Sequence, residues 1–353
     1  MKLIKAWKSS FFPLCLSAVF GMLVIIHARA SLDGMKSGLE MCAQIVIPSL
    51  FPFLVISSFA AKLEIPKRAY KIADKVMRFL FHLPADAVTC IIFGALGGFP
   101  VGCVTAAQLC KDGRINNEQA QRLTLFCINA GPAFTVTAVG TSMLGSTKGG
   151  AILFASLLLS SLTIGILLGF TAPKPEKAVK ISGFEASASA AFVHSAEQGS
   201  KAIIRICAWV SLFSCFFSLL KETGISDSLM NVIKCFFEVT AGCKAAAETG
   251  NIYAVAATLG WSGLCVICQV LSDVRSVGTP LTVLLAFKAL HAGLSTVFCR
   301  LFLYLFPIEV SVFSSFSGQA SGEFFSASAP AAVALMCLCA VFVIDLDRNK
   351  KMC

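Results

Sequence analysis

The sequence predicts an all-α polytopic membrane protein, built as two inverted repeats that each carry a re-entrant helical hairpin. Three observations predict it. Of the 353 residues, 57% are hydrophobic and 14% charged, with a mean hydropathy of +0.82. An ordinary soluble domain carries about 25% charge and cannot hide this much apolar surface. About ten apolar segments succeed one another along the chain, separated by short basic or polar stretches. Glycine and proline interrupt an apolar segment at a similar place in each half, at Gly97–Gly102 and at Gly260–Gly263.

Composition also excludes. The net charge of +10 sits mostly between apolar runs, so it reads as a bias of cytoplasmic loops and not as a nucleic-acid surface. The 16 cysteines are scattered through apolar runs without zinc-site spacing, and there are 4 histidines in all. They read as small packing residues, and no metal or other cofactor is expected. No phosphate-binding loop with a following Lys, paired-carboxylate motif or nucleophile elbow occurs, so the chain is expected not to be an enzyme.

The elements follow in order. Lys2, Lys5 and Lys8 precede an apolar run from Phe11 to Ile26. A signal peptide competes with a first transmembrane helix there, since Ala28-Arg29-Ala30 resembles a cleavage site. Either reading places Ser31 outside. The next segment, Met41 to Ala61, contains Pro48 and Pro52, which are expected to kink it. The stretch Lys62 to Arg78 holds six Lys or Arg, with Tyr70, Ile72, Val76, Phe79 and Leu80 at roughly helical spacing. It reads as a cytoplasmic interfacial helix.

Residues 88–110 are apolar, yet Gly94, Gly97, Gly98, Pro100 and Gly102 fall within nine positions. A hairpin bent at Gly97 to Gly102 accommodates them better than a straight span, although close helix packing would also use such glycines. Apolar segments resume at 123–145, broken at Asn129-Ala130-Gly131-Pro132, and at 149–170. Residues 171–202, with Pro173, Pro175 and a Ser/Ala-rich run, read as a linker. The second half repeats the order: 202–220, a shorter stretch 226–240, a glycine-interrupted piece 251–272, then 279–306 and 330–345. Ala95–Val101 echoes Gly260–Val266, which places the second hairpin at 251–272. With the N-terminus inside, the halves enter the bilayer from opposite sides, though the basic tail at Arg348, Lys350 and Lys351 then lies outside. The expected division is an N-terminal helix in 1–40, a first repeat in 41–170, a linker in 171–201 and a second repeat in 202–353.

Several polar residues lie where lipid makes them costly. Glu238, within Cys235-Phe236-Phe237-Glu238-Val239, reads as a coupling-ion site for a proton or cation, or as a helix cap near Thr240. Lys288 and His291, three apart on one helix face, read as substrate-binding groups, with a snorkelling lysine as the alternative. The expected pairing is Lys288 with Glu238. Gly97, Gly98, Pro100 and Gly102 are candidates to offer backbone groups to a solute. Asn129, Pro132, Ser262, Gly263 and Gln269 complete the candidate substrate site.

Ile47-Pro48-Ser49-Leu50-Phe51-Pro52-Phe53, Gly97-Gly98-Phe99-Pro100-Val101-Gly102 and Asp112-Gly113-Arg114-Ile115 occur in that order. Phe126–Phe134, Glu238-Val239-Thr240-Ala241-Gly242, Gly263–Val266 with Gln269, and Lys288–Ala292 follow. In these pieces, over roughly residues 40–300, the chain resembles the sporulation integral membrane protein YlbJ family, which carries the nucleoside-transporter Gate domain. The resemblance implies a nucleoside-transporter-like fold in a spore-forming bacterium, and a link to movement of dipicolinic acid across the outer forespore membrane. Two departures bear on the solute: Phe99 stands where the family has Tyr, and Ile267-Cys268 where it has His-Ala. The expected function is therefore a transporter or channel for a small, anionic, dipicolinate-like solute, with the bilayer and a coupling proton or cation as partners and no nucleic acid. A nucleoside-type permease and a non-transporting sporulation scaffold are the alternatives. A multi-pass position in the cell membrane, the outer forespore membrane included, is expected.

Overall fold

Every regular element in the described residues of the computed structural model is helical, and none of these residues forms a strand. The structure describes residues 14–15, 17–60, 67–173 and 188–307. The lysines at 2, 5 and 8, the apolar segment 330–345 and the basic tail lie outside the described residues.

Helix α1 (Ser17–Ile26) meets α2 (Ala28–Met41) at a bend of 100°. Sequence reasoning placed one N-terminal helix in 1–40, with its apolar run ending at Ile26; among the described residues this stretch is two helices that meet at the bend. Ser31, Gly34 and Gly38 form a stripe of small residues at helical spacing, and the stripe buries itself against α9. A side chain at Gly34 would meet Ser218 and Cys215 within 2.8 Å. Such a stripe lets two backbones approach closely, which is how helices associate without a hydrophobic drive between them. The chain continues through a π-helical turn, Cys42–Val46, into α3 (Ile47–Ala60). The wide turn lies just ahead of Pro48, whose missing N–H would interrupt a regular ladder.

Helix α4 (Lys67–Val76) and a π-turn (Met77–Phe81) leave Ile72, Val76 and Phe79 exposed while Met77 and Phe81 are buried. An exposed apolar row on a basic helix fits the interfacial expectation. Then come α5 (Ala87–Gly97), α6 (Phe99–Lys111), α7 (Asn117–Phe126), a π-helix (Ala133–Met143) and α8 (Thr147–Phe170). Helix α8 has 24 residues, a rise of about 36 Å, enough for the roughly 30 Å hydrocarbon layer.

The second half holds α9 (Ala188–Lys221), α10 (Asp227–Phe237), α11 (Val239–Glu248), α12 (Ile252–Trp261), α13 (Gly263–Ser276) and α14 (Leu281–Leu305). Helix α9 corrects the linker: residues 188–201 are helical, not a connection. The Ser/Ala-rich run suits a helix because its hydroxyls bond back one turn, Ser195 to Ala191 O and Ser200 to Ala196 O, and Lys201 pairs with Glu197 at 2.6 Å.

Among the described residues, four helices are long and apolar enough to cross a membrane: Thr147–Phe170, Ser189–Lys221, Ile252–Ser276 and Leu281–Leu305; the bent pair α1–α2 makes a fifth if it counts as one span. The protein is a multi-pass membrane protein. The largest core cluster draws Ile128, Phe134 and Leu153 from the first half together with Val255, Leu259 and Leu284 from the second. The halves interlock: α6 lies on α13, α11 on the π-helix 133–143, α12 on α8, and α14 on α7 and α8.

Candidate functional site

Helices α5 and α6 form a closed hairpin. Cys90 donates its thiol to Gly102 O at 3.0 Å, and a Cβ on Gly94 would sit 3.1 Å from Gly102 Cα. Residues eight and twelve apart in sequence touch only if the chain folds back on itself. The tip is Gly98, with φ 85° and ψ −174°, a region that side chains avoid. The span that follows is broken between Phe126 and Ala133, and Gly131 of that break lies against the tip: its Cβ would be 3.0 Å from Gly98 N.

The second half contains the same pair of features, one step earlier than the sequence indicated. The hairpin is α10–α11, not 251–272. Cys235 donates to Gly242 O at 3.4 Å, and a Cβ on Gly242 would stand 2.6 Å from Cys235 Cα. Its tip is Glu238. The glycine-interrupted piece is instead a span, Ile252–Ser276, broken at Ser262 and Gly263. Gly263 presses on the second tip as Gly131 does on the first, with its Cβ position 3.0 Å from Val239 N. Trp261 ties the two together by donating to Phe236 O at 2.8 Å and stacking on the Phe236 ring.

Both tips and the Gly131 break line one open cleft. Its walls are largely apolar, with Leu50, Phe99, Phe134, Ile206, Val210 and Val266 among them. Polar groups come from Glu238, Thr240, Gln269 and the backbone of Gly97 and Gly98. Glu238 is 2% exposed and caps α11 with both oxygens: Thr240 N donates to Oε1 at 3.0 Å and Ala241 N to Oε2 at 2.6 Å. A carboxylate at a helix N-terminus meets the positive end of the dipole. The first residues of α6 border the same cleft without any side-chain cap. Gln269 is buried, and its one side-chain bond among the described residues runs to Cys265 Sγ at 3.3 Å.

The cleft therefore gathers Gly97, Gly98, Pro100, Glu238 and Gln269 of the expected residues. The others stand behind it. Gly102 packs beneath Cys127 O. Asn129 donates to Phe126 O and to Ser161 Oγ of α8, both at 2.9 Å, while its buried Oδ1 has no partner. Pro132 caps the π-helix 133–143, and Ser262, at φ 74°, turns the break between α12 and α13. Lys288 and His291 are buried on α14. The expected Glu238–Lys288 pair does not form, since no ion pair joins them. Lys288 Nζ donates to Ile128 O at 2.9 Å, so it neither snorkels to an interface nor borders the cleft.

The chain aligns with sporulation integral membrane protein YlbJ of Bacillus subtilis (strain 168), 26% identical over 290 residues, which is 70% of this chain and 71% of that protein. This similarity supports the resemblance to the YlbJ family read from the sequence. No family model matches it, and no solved structure matches it.

Sequence reasoning missed the far wall of the cleft. Ile206 and Val210 of α9 border it one helical turn apart, but apolar residues in an apolar segment carry no signal of their own. Arg205 was also missed. It lies 3.8 Å from Asp273 and donates to Gln269 O at 3.5 Å, which holds α9 to α13 beside the cleft. A lone cation inside the 202–220 segment was the available signal. At the first tip the expected effect of Gly98→Ala is a folded but weaker protein. The added Cβ has ordinary room, 3.6 Å from Gly131 N, while the backbone region itself costs an L residue about 1–3 kcal/mol. Thermal unfolding in detergent measures it, and an unchanged midpoint would contradict the tip geometry.

Proposed function

We propose that the protein carries a small organic anion across a membrane during spore formation, with the two halves acting as inverted repeats of a nucleoside-transporter-like carrier. One observation carries the reading: the tips of both hairpins border a single cleft, each with a span break against it. Carriers place solute where discontinuous helices meet near the bilayer midplane, because only there can backbone groups face a cavity. The order of helix, hairpin, broken span and long helix occurs twice, as α3, α5–α6, α7 with the π-helix and α8, and as α9, α10–α11, α12–α13 and α14. The relative's name describes an integral membrane protein of sporulation, which supplies the setting.

The cleft's chemistry supports a flat solute with a carboxylate. Glu238 already neutralises the N-terminus of α11, while the N-terminus of α6 opposite has only Gly98. A solute carboxylate at Gly98 would cap α6 as Glu238 caps α11, and an aromatic ring would lie between Phe99 and Phe134. Dipicolinate has that shape and charge. The protein's role in this reading is binding and movement without covalent chemistry.

The test is uptake of labelled dipicolinate and of uridine into vesicles that contain the purified protein. Dipicolinate uptake above empty vesicles is expected, with little uridine uptake. Uptake of uridine alone would make the protein a nucleoside-type permease, and uptake of neither would leave the scaffold role.

A further inference from the structure

Behind the cleft, two basic side chains of one helix meet the carbonyl ends of two broken spans. Lys288 Nζ donates to Ile128 O at 2.9 Å and lies 3.4 Å from His291 Nδ1. His291 Nδ1 is 3.1 Å from Gly260 O, and Nε2 is 3.1 Å from Leu157 O. Ile128 lies just past the end of α7, and Gly260 lies in the last turn of α12. Both are C-terminal ends of half-helices, where the backbone dipole is negative. The sequence itself orphans the first carbonyl: the helical partner of Ile128 O would be residue 132, a proline without an N–H. Lys288 and His291 are 1% and 2% exposed, and no carboxylate among the described residues is within ion-pair distance of either.

Unwound carbonyls and half-helix C-termini are the groups with which carriers hold a sodium ion. Here an ammonium group already occupies that position. We propose that Lys288 is a resident cation: its ammonium takes the place of a bound monovalent ion between the α7 and α12 breaks, so the folded protein requires no sodium. Glu238 is not its counter-charge; the carbonyl end of the α7 break is, with His291 standing between the ammonium and the α12 end. His291 completes the set on the far side, its ring nitrogens 3.1 Å from Gly260 O and from Leu157 O, with the N–H of the neutral ring serving one of the two. The inference does not rest on transport, because the site joins the halves whether or not solute moves.

Chemical rescue tests it. Lys288→Ala removes three methylenes and the ammonium, the atoms of n-propylammonium. The purified variant is expected to melt at least about 5 °C below wild type, since it leaves Ile128 O buried without a donor. Tens of millimolar n-propylammonium should restore at least half of that loss, sodium a smaller part, and neutral n-propanol none. Lys288→Met keeps the apolar stem and should melt low without rescue. A Lys288→Met protein as stable as wild type would overturn the proposal, as would a Lys288→Ala protein that responds to no cation. If Lys288→Ala yields no folded protein, the wild type decides. Its melting temperature should not change when sodium is exchanged for N-methylglucamine, and a sodium requirement would sink the idea. Failure of dipicolinate uptake leaves all of these melting results as they stand, so the two readings fail separately.

Discussion

Gly102→Ala is expected to remove nearly all folded protein, since its Cβ would make the closest backbone approach found for a glycine among the described residues. A Cβ at Gly102 would stand 2.0 Å from Cys127 O and 2.9 Å from Cys127 C. The obstacle is backbone, so no rotamer change relieves it. Gly94 faces the same carbonyl from the other arm, with its Cβ position 2.6 Å away. The Cys127 carbonyl is thus wedged between the two arms of the first hairpin, at the point where α7 ends. Making room would require the arms or the α7 break to move by roughly 1 Å, and close-packed interiors resist such movement. The shift would also strain the Cys90 to Gly102 O bond that closes the hairpin. Overpacking costs about 1–3 kcal/mol where side chains yield. A backbone clash exceeds that and consumes much of a total stability of about 5–15 kcal/mol. The measurement is the yield of monodisperse protein after extraction in mild detergent, with Gly98→Ala beside it. Gly98→Ala meets strain without collision and should give clearly more. Equal, wild-type yields of both would show that the hairpin does not close as described.

How much of this was legible depends on where the constraint is written. The membrane class was plain, because a bilayer demands continuous apolar runs of a length set by its thickness. The first hairpin was legible for the reason just argued: arms that touch exclude side chains, which Gly94 and Gly102 record, and Gly98 marks the positive-φ tip between them. The second hairpin was not. Its tip, Glu238, has φ −139° and ψ 122°, extended backbone that any residue adopts, so no glycine marks the turn. The Gly260–Gly263 pattern looked like a tip, yet it marks a break in a span that continues. The role of Lys288 was half legible. A buried cation in lipid demands a partner, and sequence reasoning looked for an acid. The partner is Ile128 O, and a carbonyl leaves no trace in a sequence except, here, through the proline four residues on. That α2 is a helix of its own, apart from α1, was not legible, because Ser31, Gly34 and Gly38 break the apolar pattern until α9 is placed against them.

Glu238→Gln is expected to lower dipicolinate uptake at least tenfold while costing less stability than Glu238→Ala. Both carboxylate oxygens accept backbone N–H bonds at the start of α11. Alanine removes the cap outright, a loss of about 0.5–2 kcal/mol at a typical N-cap. Glutamine keeps one acceptor and the shape, and loses the charge that balances the helix dipole, about 0.3–1 kcal/mol, or up to ~2 kcal/mol where the site is buried. If the cap were all that Glu238 supplies, uptake would track stability, and Gln would transport better than Ala. The proposed role asks for more. Glu238 borders the cleft at the second tip, where its carboxylate is the one acidic group in the lining and the natural site for a coupling proton or cation. A permanently neutral glutamine cannot take up and release that charge, so Gln and Ala should both fail in uptake driven by an ion gradient despite different melting temperatures. Solute exchange without a gradient should survive in the Gln variant. Gradient-driven uptake by Glu238→Gln at the wild-type rate would leave Glu238 as a cap for α11, and coupling would have to reside in the backbone of the two tips.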